Sequence, residues 1–468
     1  MQECDPGGEV AGNRYGEEAA GVAVQDAREV LQAGQVTELV LGEVAHGGWC
    51  VAKPQDQPVV FVRHGLPGER VRARITDVTA KFARADAIEI LDASPDRVVP
   101  PCPHARPGGC GGCDWQHASL PAQRALKGAV VAQQLRRLAG IEREVTVEPL
   151  AGDEVDNGDP DDGDRDDGDP DNGDVDNSKK GKGLGWRTRV QFAVRSDGVA
   201  GLRAHRSHEV VDVGECLIAD PDVTGLGLTT RRWPGVASVE GIVGDSGRAV
   251  IVSGGSTTNS YDIDEKAAVL RRGRNGALTA LRGRGYLSQR AAGRQWRVSA
   301  GGFWQVHPAA ASTLAAVVLA ALEPRAGDCA LDLYCGAGLF AGVLAEAVGE
   351  GGTVVGVESD PAAVRDARHN LPAWARVHRG DVAVVLRRGG LPQARLVVAD
   401  PPRTGLAREV IAQLDGAERF AYVSCDPATL ARDIALLAAR GWTLADLRAF
   451  DAFPMTHHVE CVATLVRT

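Results

Sequence analysis

The 468-residue chain has no excess of positive charge: 52 Lys and Arg stand against 62 Asp and Glu, a formal net of −10. Taken whole, that balance argues against a polyanionic partner such as nucleic acid. Nor is there any run approaching the ~18 uninterrupted apolar residues of a membrane span. The first residues are acidic, without the basic and apolar regions of a secretory leader. These absences predict a cytoplasmic protein with no membrane partner. Methionine is nearly missing, with two residues, so the 44% hydrophobic content rests on Ala, Val and Leu. At ~100–200 residues per domain, the length suggests about three domains. Ten Cys without an export leader argue against a disulfide framework and for metal-bound, catalytic or buried thiols.

The negative charge is concentrated in two places. Gly152–Asn177 holds 13 acids and one base, Arg165, a local net of −12, and residues 1–34 hold seven acids against Arg14 and Arg28, a net of −5. Setting both aside leaves a body of +7, with Arg136, Arg137, Arg187, Arg189, Arg203 and Arg206 available for phosphates. Residues 1–34 read as a disordered leader with at most a weak helix over Val22–Ala33. The run at 152–177, built on Asp-Gly, Asn-Gly and Asp-Pro pairs, reads as a low-complexity loop insertion that cannot bury enough apolar surface to order itself.

Residues 35–93 carry short β-type runs (VTELVLGEV, VVFVRH, GERVRARITDV, ARADAIEIL) separated by turn signals, and predict a small β-barrel. Residues 94–298 form a central α+β region. It opens on the Pro- and Cys-rich stretch 94–119 and continues with a helix over Pro121–Ala139, placing Leu126, Val130, Leu135 and Leu138 on one side and Arg124, Lys127, Arg136 and Arg137 on the other. Strands resume at Trp186, and the run VVDVGECLIA is expected to return Cys216 to the Cys-rich stretch. Residues 299–468 alternate apolar strands with helices. This is the grammar of a Rossmann-like α/β domain, a doubly wound and mainly parallel sheet that binds ligands at the carboxyl ends of its strands.

The first strand of that domain ends on Asp332-Leu333-Tyr334-Cys335-Gly336-Ala337-Gly338 and opens a helix. Glycines there let backbone N–H groups approach a ligand. Glu358 ends the next strand 20 residues past Gly338, where an acid reaches the two ribose hydroxyls of a nucleoside cofactor. The glycine count admits a dinucleotide or S-adenosylmethionine, because Ala341 stands at the third glycine position and is one tolerated variant. Asp400-Pro401-Pro402-Arg403 decides for S-adenosylmethionine. A carboxylate before a rigid Pro-Pro turn lies beside the transferable group in many nucleic-acid methyltransferases, although Asp-Pro also makes ordinary turns.

Ser424-Cys425-Asp426-Pro427 ends a later strand at the same sheet edge. An isolated Cys is more often inert core than nucleophile. One placed before a helix N-terminus is instead expected to have its thiol pKa lowered. Cys335, inside the glycine turn, suits a packing role. Glu460 opens the last strand as either a solvated edge residue or a buried base.

Cys102, Cys110, Cys113 and the distant Cys216 offer four thiolates, with Gly111-Gly112 inside the C-x2-C pair. Such a set suits zinc or an iron–sulfur cluster, and spacing leaves the two even. It does not fit a radical S-adenosylmethionine enzyme.

In order and spacing, FWQVHP (Phe303–Pro308), DLYCGAG, VVGVE, DPPR, SCDP and FPMTHHVE resemble the RNA 5-methyluridine methyltransferases. The small barrel is similar to that family's TRAM-type RNA-binding domain, and CPHARPGGCGGCDWQH to its iron–sulfur segment. The resemblance spans about residues 36–468, apart from the acidic run. It implies that Gln305, Tyr334, Gly336, Glu358 and Asp400 contact S-adenosylmethionine, with Asp381 near the adenine. It also implies that Cys425 is the nucleophile, that Glu460 is the base, and that Cys102, Cys110, Cys113 and Cys216 hold a 4Fe–4S cluster. The chain departs from the family at Leu339, where Asn is usual, and more mildly at His307.

The implied chemistry needs these residue types. C5 of uracil is too weak a nucleophile to take a methyl group, so a thiolate first adds to C6. A base then removes the C5 proton and the thiolate leaves. The uridine must leave its stack to reach the pocket. The partner implied is a tRNA or 23S rRNA, and a monomer is the simplest state. Two rivals remain, a non-catalytic RNA-binding protein and a nucleic-acid N-methyltransferase in which Cys425 would be silent.

Overall fold

The computed structural model describes residues 31–153, 183–255 and 263–467. The leader expected over 1–34 lies outside this range except for its last four residues, and these already belong to the first domain. Leu31 is buried in that domain's core, and the Gly34 N–H donates to the Ile75 carbonyl at 2.8 Å.

That domain is a six-stranded sheet made of β1 (Val36–Val40), β2 (Val44–Ala45), β3 (Trp49–Ala52), β4 (Val59–Arg63), β5 (Arg70–Val78) and β6 (Phe82–Asp92). The strand order is β1-β5-β6-β4-β3-β2. Alternation decides its faces: Val71, Ala73 and Ile75 point into the core while Arg70 and Arg74 point out. Three register shifts between β5 and β6 let the sheet coil about that core.

The stretch 94–119 has no regular element beyond isolated bridges, including Cys110 to Ala204. Ser119 caps α1 (Leu120–Gln134), and a π turn over Leu135–Ala139 extends it until Gly140, at φ +67°, stops it. The helix is where expected, but its faces are not. Leu138 is 46% exposed, because the π turn inserts a residue and rotates the rest of the helix. Lys127, placed by periodicity on the basic face, is fully buried, its ammonium held by Asp451 and by the Phe453 carbonyl at 3.0 Å.

The next strand is β7 (Val147–Pro149). The central sheet comprises β8 (Arg189–Val194), β9 (Ala200–Arg203), β10 (Val210–Val211), β11 (Val236–Gly244), β12 (Gly247–Gly254), β13 (Ala268–Arg272) and β14 (Leu278–Arg282), with the one-turn α2 (Pro221–Thr224) between β10 and β11. The β15 (Tyr286–Ala291) and β16 (Arg294–Ser299) hairpin leads to the last domain. Most of the acidic run at 152–177 lies outside the described residues. Its Asp153 does not: it is buried and bonded to His307 Nε2 at 2.8 Å, so that residue belongs to the fold and not to a loose loop.

The last domain is the expected α/β layer. Its elements are α3 (Ala310–Leu322), β17 (Cys329–Leu333), α4 (Leu339–Val348), β18 (Thr353–Glu358), α5 (Pro361–Asn370), β19 (Arg376–Arg379), α6 (Val382–Arg388), β20 (Leu396–Ala399), α7 (Arg408–Ile411), β21 (Arg419–Ser424), α8 (Pro427–Ala438), β22 (Trp442–Asp451) and β23 (Glu460–Arg467). The sheet order is β19-β18-β17-β20-β21-β23-β22-β7, with β17 to β21 parallel and β23 antiparallel to β21. Strand order reverses between β17 and β20, which opens a crevice at their carboxyl ends.

Candidate active site

The crevice begins where β17 ends. Tyr334 takes φ +66° and Gly336 φ +54°, and a Cβ on Gly336 would meet nothing within 4 Å, so the turn leaves open space above it. Glu358 shapes the turn: its Oε2 accepts from the Gly336 N–H at 3.0 Å, while Oε1 accepts from the N–H groups of Ser359 and Asp360. Asp381 caps α6 through the Val384 N–H at 3.0 Å. Burial, and then the charges of Asp381 and Asp433, push the Tyr334 phenol up to about 12. Cys335 is buried against Gly356, as a packing residue would be.

The crevice is acidic. Asp332, 0% exposed, accepts from the Ala341 N–H at 2.7 Å, and its Oδ1 has no partner among the described residues. Burial, then Asp400 and Glu358, hold its carboxyl well above the usual range. An orphaned carboxyl oxygen in a buried place is a polar group left for a ligand to satisfy. The residues present fit S-adenosylmethionine. Asp332 was not singled out from sequence; the available signal was an acid ending an otherwise apolar strand.

Gln305 stands apart from this set. It is buried in the loop before α3 and lines a small cavity with Thr188, Arg189, Val298 and Trp304.

One strand further, register brings three groups to the same sheet edge. Ala399 pairs with Tyr422 in the parallel β20–β21 ladder and Ser424 with Cys461 in the antiparallel β21–β23 ladder, so Asp400, Cys425 and Glu460 emerge side by side. Glu460 is 3% exposed. Burial, and then Asp400, raise its carboxyl well above the usual range, while burial pushes Asp400 up to about 7. Two carboxyls this close in a buried place cannot both ionise freely. Arg403 is the nearby cation. It lowers both Glu460 and Cys425, and its Nη2 lies 3.3 Å from His458 Nε2.

One expectation fails here. The Cys425 thiol is not lowered. Burial, and then Glu460, push it up to about 11, with Arg403 opposing. The α8 N-terminus is already served by Asp426, whose Oδ1 accepts from the Thr429 N–H at 2.8 Å, so its partial charge does not reach the thiol undiminished. Burial works against the charge on Asp426, yet its bonds to His46 and Thr429 outweigh that and hold the carboxyl below its usual range. His46 belongs to the first domain and reaches Asp426 at 3.3 Å, a contact no local sequence pattern signals.

Cys102, Cys110, Cys113 and Cys216 line one cavity of about 230 Å³ together with Gln116 and Arg187. Cys216 thus returns to the Cys-rich stretch, although only Val210–Val211 of its expected strand is a strand. Among the described residues, no group of three or more His, Cys, Asp or Glu side chains is arranged to hold a metal ion.

Residues 392–468 match the tRNA (Uracil-5-)-methyltransferase family, residues 31–88 the TRAM domain, and residues 299–391 the Protein-L-isoaspartate(D-aspartate) O-methyltransferase family. An uncharacterized RNA methyltransferase of Streptomyces avermitilis is 49% identical, covering 92% of this chain and 98% of its own. The chain belongs to the RNA methyltransferase family. This RNA methyltransferase is also 29% identical to the 23S rRNA (uracil(1939)-C(5))-methyltransferase RlmD of Shewanella sp. (strain ANA-3), covering 90% of this chain and 93% of that one. Its fold is that of the Pyrococcus abyssi tRNA (uracil-54, C5)-methyltransferase solved with S-adenosyl-L-homocysteine. That likeness has a TM-score of 0.65 at 22% identity, over 92% of this chain and 99% of the other. Among the described residues no helix is long and apolar enough to cross a membrane.

Proposed function

We propose that the protein transfers a methyl group from S-adenosylmethionine to C5 of a uridine in tRNA or 23S rRNA, through a transient bond between Cys425 and C6. The observation that supports this reading most is the alignment of Asp400, Cys425 and Glu460 at one edge of the sheet, next to an acidic crevice. Bound S-adenosylmethionine supplies an electrophilic methyl group. Tyr334, Gly336, Glu358, Asp381 and Asp400 hold it, with Gln305 contributing from the preceding loop. Cys425 attacks C6 as a thiolate. The C5=C6 electrons move onto the C4 carbonyl and leave C5 nucleophilic. Asp400 orients the base edge. After methyl transfer, Glu460 takes the C5 proton and the C6–S bond breaks, which returns the thiolate. Once ionised, a buried carboxylate with raised proton affinity is a stronger base than an exposed one, which suits Glu460 to that step.

The four cysteines would hold a 4Fe–4S cluster, a fixed cross-link between the Cys-rich stretch and the central sheet. A reducing cytoplasm keeps such thiols free to bind it. One chain supplies the whole catalytic set, consistent with a monomer.

Two measurements test the reading. Cys425→Ala retains S-adenosylmethionine binding and shows no methylation; normal turnover in that variant would sink the mechanism. Mapping 5-methyluridine across total RNA of a deletion strain identifies the substrate as the site that disappears, and an unchanged map counts against this target chemistry.

A further inference from the structure

Eight residues, 452–459, separate β22 from β23 and deliver Glu460 into the site. Residues far away in sequence hold this loop. Lys127 of α1 binds Asp451 and the Phe453 carbonyl. Met455 sits at φ +68°, a conformation a side chain rarely adopts unless its surroundings impose it. Its N–H donates to Gln123 Oε1 at 2.8 Å, and its carbonyl accepts from the N–H groups of Asp114 and Trp115 at 3.0 and 3.1 Å.

Asp114 adds a side-chain contact two residues further on. Its Oδ2 accepts from the His457 N–H at 3.3 Å and meets His457 Nδ1 at 2.6 Å, while its Oδ1 lies 3.5 Å from Arg63 Nη2 of β4. Gly48, in the turn before β3, closes the other side: a Cβ there would come within 2.8 Å of His457 Cβ. Backbone and side chain of one residue thus grip the loop at two points, three and five residues before Glu460. Cys113, one of the four cysteines of the proposed cluster, immediately precedes that residue.

We propose that Asp114 is a positioning residue for Glu460: it clamps the loop through Met455 and His457 and so ties the geometry of the proton-removing carboxylate to the four-cysteine site. This rests on the reading of Cys425 and Glu460 given above. In that chemistry the S–C6 bond forms and the methyl transfers before Glu460 acts, and only the last step, loss of the C5 proton with cleavage of C6–S, needs the base. A displaced loop therefore slows release more than it slows adduct formation. A merely structural role would lower both together.

The test tracks both steps in single-turnover reactions of the purified holoenzyme with uridine-containing substrate RNA. It reads the covalent RNA–protein band on a denaturing gel and the released methylated RNA. Asp114→Ala should form the band at close to the wild-type rate and release product at least ~10-fold more slowly, short of the ~100-fold or greater loss expected on removing a general base itself. Asp114→Asn, which keeps an acceptor oxygen for the His457 N–H, should restore release. If Asp114→Ala does not fold, His457→Ala carries the same expectation. A parallel fall in adduct and release, or release at the wild-type rate, overturns the proposal. If the wild-type enzyme itself gives no covalent band with 5-fluorouridine RNA, the underlying mechanism fails instead, whatever Asp114 does.

Discussion

Ser424, the last residue of β21, pairs with Cys461 of β23 across the antiparallel ladder, and this pairing sets Cys425, one residue beyond β21, opposite Glu460, the first residue of β23. The proposed nucleophile and base are therefore fixed relative to each other by backbone register, not by side-chain reach. A one-residue slip would turn both to the wrong face.

The first consequence concerns pH. Burial and Glu460 push the Cys425 thiol up to about 11, so it is protonated at neutral pH and its ionised fraction climbs as pH rises. The single-turnover rate of adduct formation should rise by about tenfold per unit between pH 7 and 9. A rate already level at pH 7 would show that the free thiol is not the species that limits addition.

Replacing the base has two readouts. Glu460→Gln should accumulate the covalent RNA adduct, because the C5 proton then has no acceptor. The same change should stabilise the fold at neutral pH. The folded-state pKa of Glu460 lies above its unfolded value, so at pH values above about 4.3 the unfolded chain gains by ionising and burial of this group costs stability. A neutral Gln removes that cost. The thermal midpoint should exceed that of wild type at pH 7, and the difference should shrink as pH falls toward the ordinary carboxylate range. An unchanged midpoint with no trapped adduct would remove Glu460 from the base position.

The cysteine cavity makes a prediction about composition. Protein purified without oxygen should be brown and carry about four irons per chain, and Cys216→Ser should lose most of that iron. A colourless preparation containing zinc would contradict the assignment.

The charge distribution predicts an effect on RNA affinity. Residues 154–177 carry 12 acids and one base, and deleting them spares Asp153 and its bond to His307. The shortened chain should bind substrate RNA more tightly at low salt, with the gain fading as salt rises. Equal affinity at low salt would place the segment away from the RNA.

The Rossmann-like domain and the place of its crevice were legible in sequence because their signals are local. Apolar strands that run into Gly336, Glu358, Asp400 and Cys425 mark the carboxyl edge of a parallel sheet without knowledge of the rest. The illegible features depend on partners distant in the chain. Lys127 reads as a surface lysine until Asp451, 324 residues later, is placed beside it. Leu138 reads as core until the π turn rotates it outward. The helix behind Cys425 suggests an acidified thiol, but strand order brings Glu460 and Asp400 next to it and reverses the sign. Asp114 lies beside a metal-type motif, and nothing near it in sequence points to His457.

The central claim is that Cys425 adds to C6 of a uridine. Incubating the enzyme and S-adenosylmethionine with substrate RNA in which uridine is replaced by 5-fluorouridine tests it directly, since fluorine at C5 cannot leave as a proton. The account expects a denaturant-stable RNA–protein complex whose cross-linked peptide, identified by mass spectrometry, contains Cys425, and no complex from Cys425→Ala. Absence of the complex, or a cross-link at another residue, would contradict it.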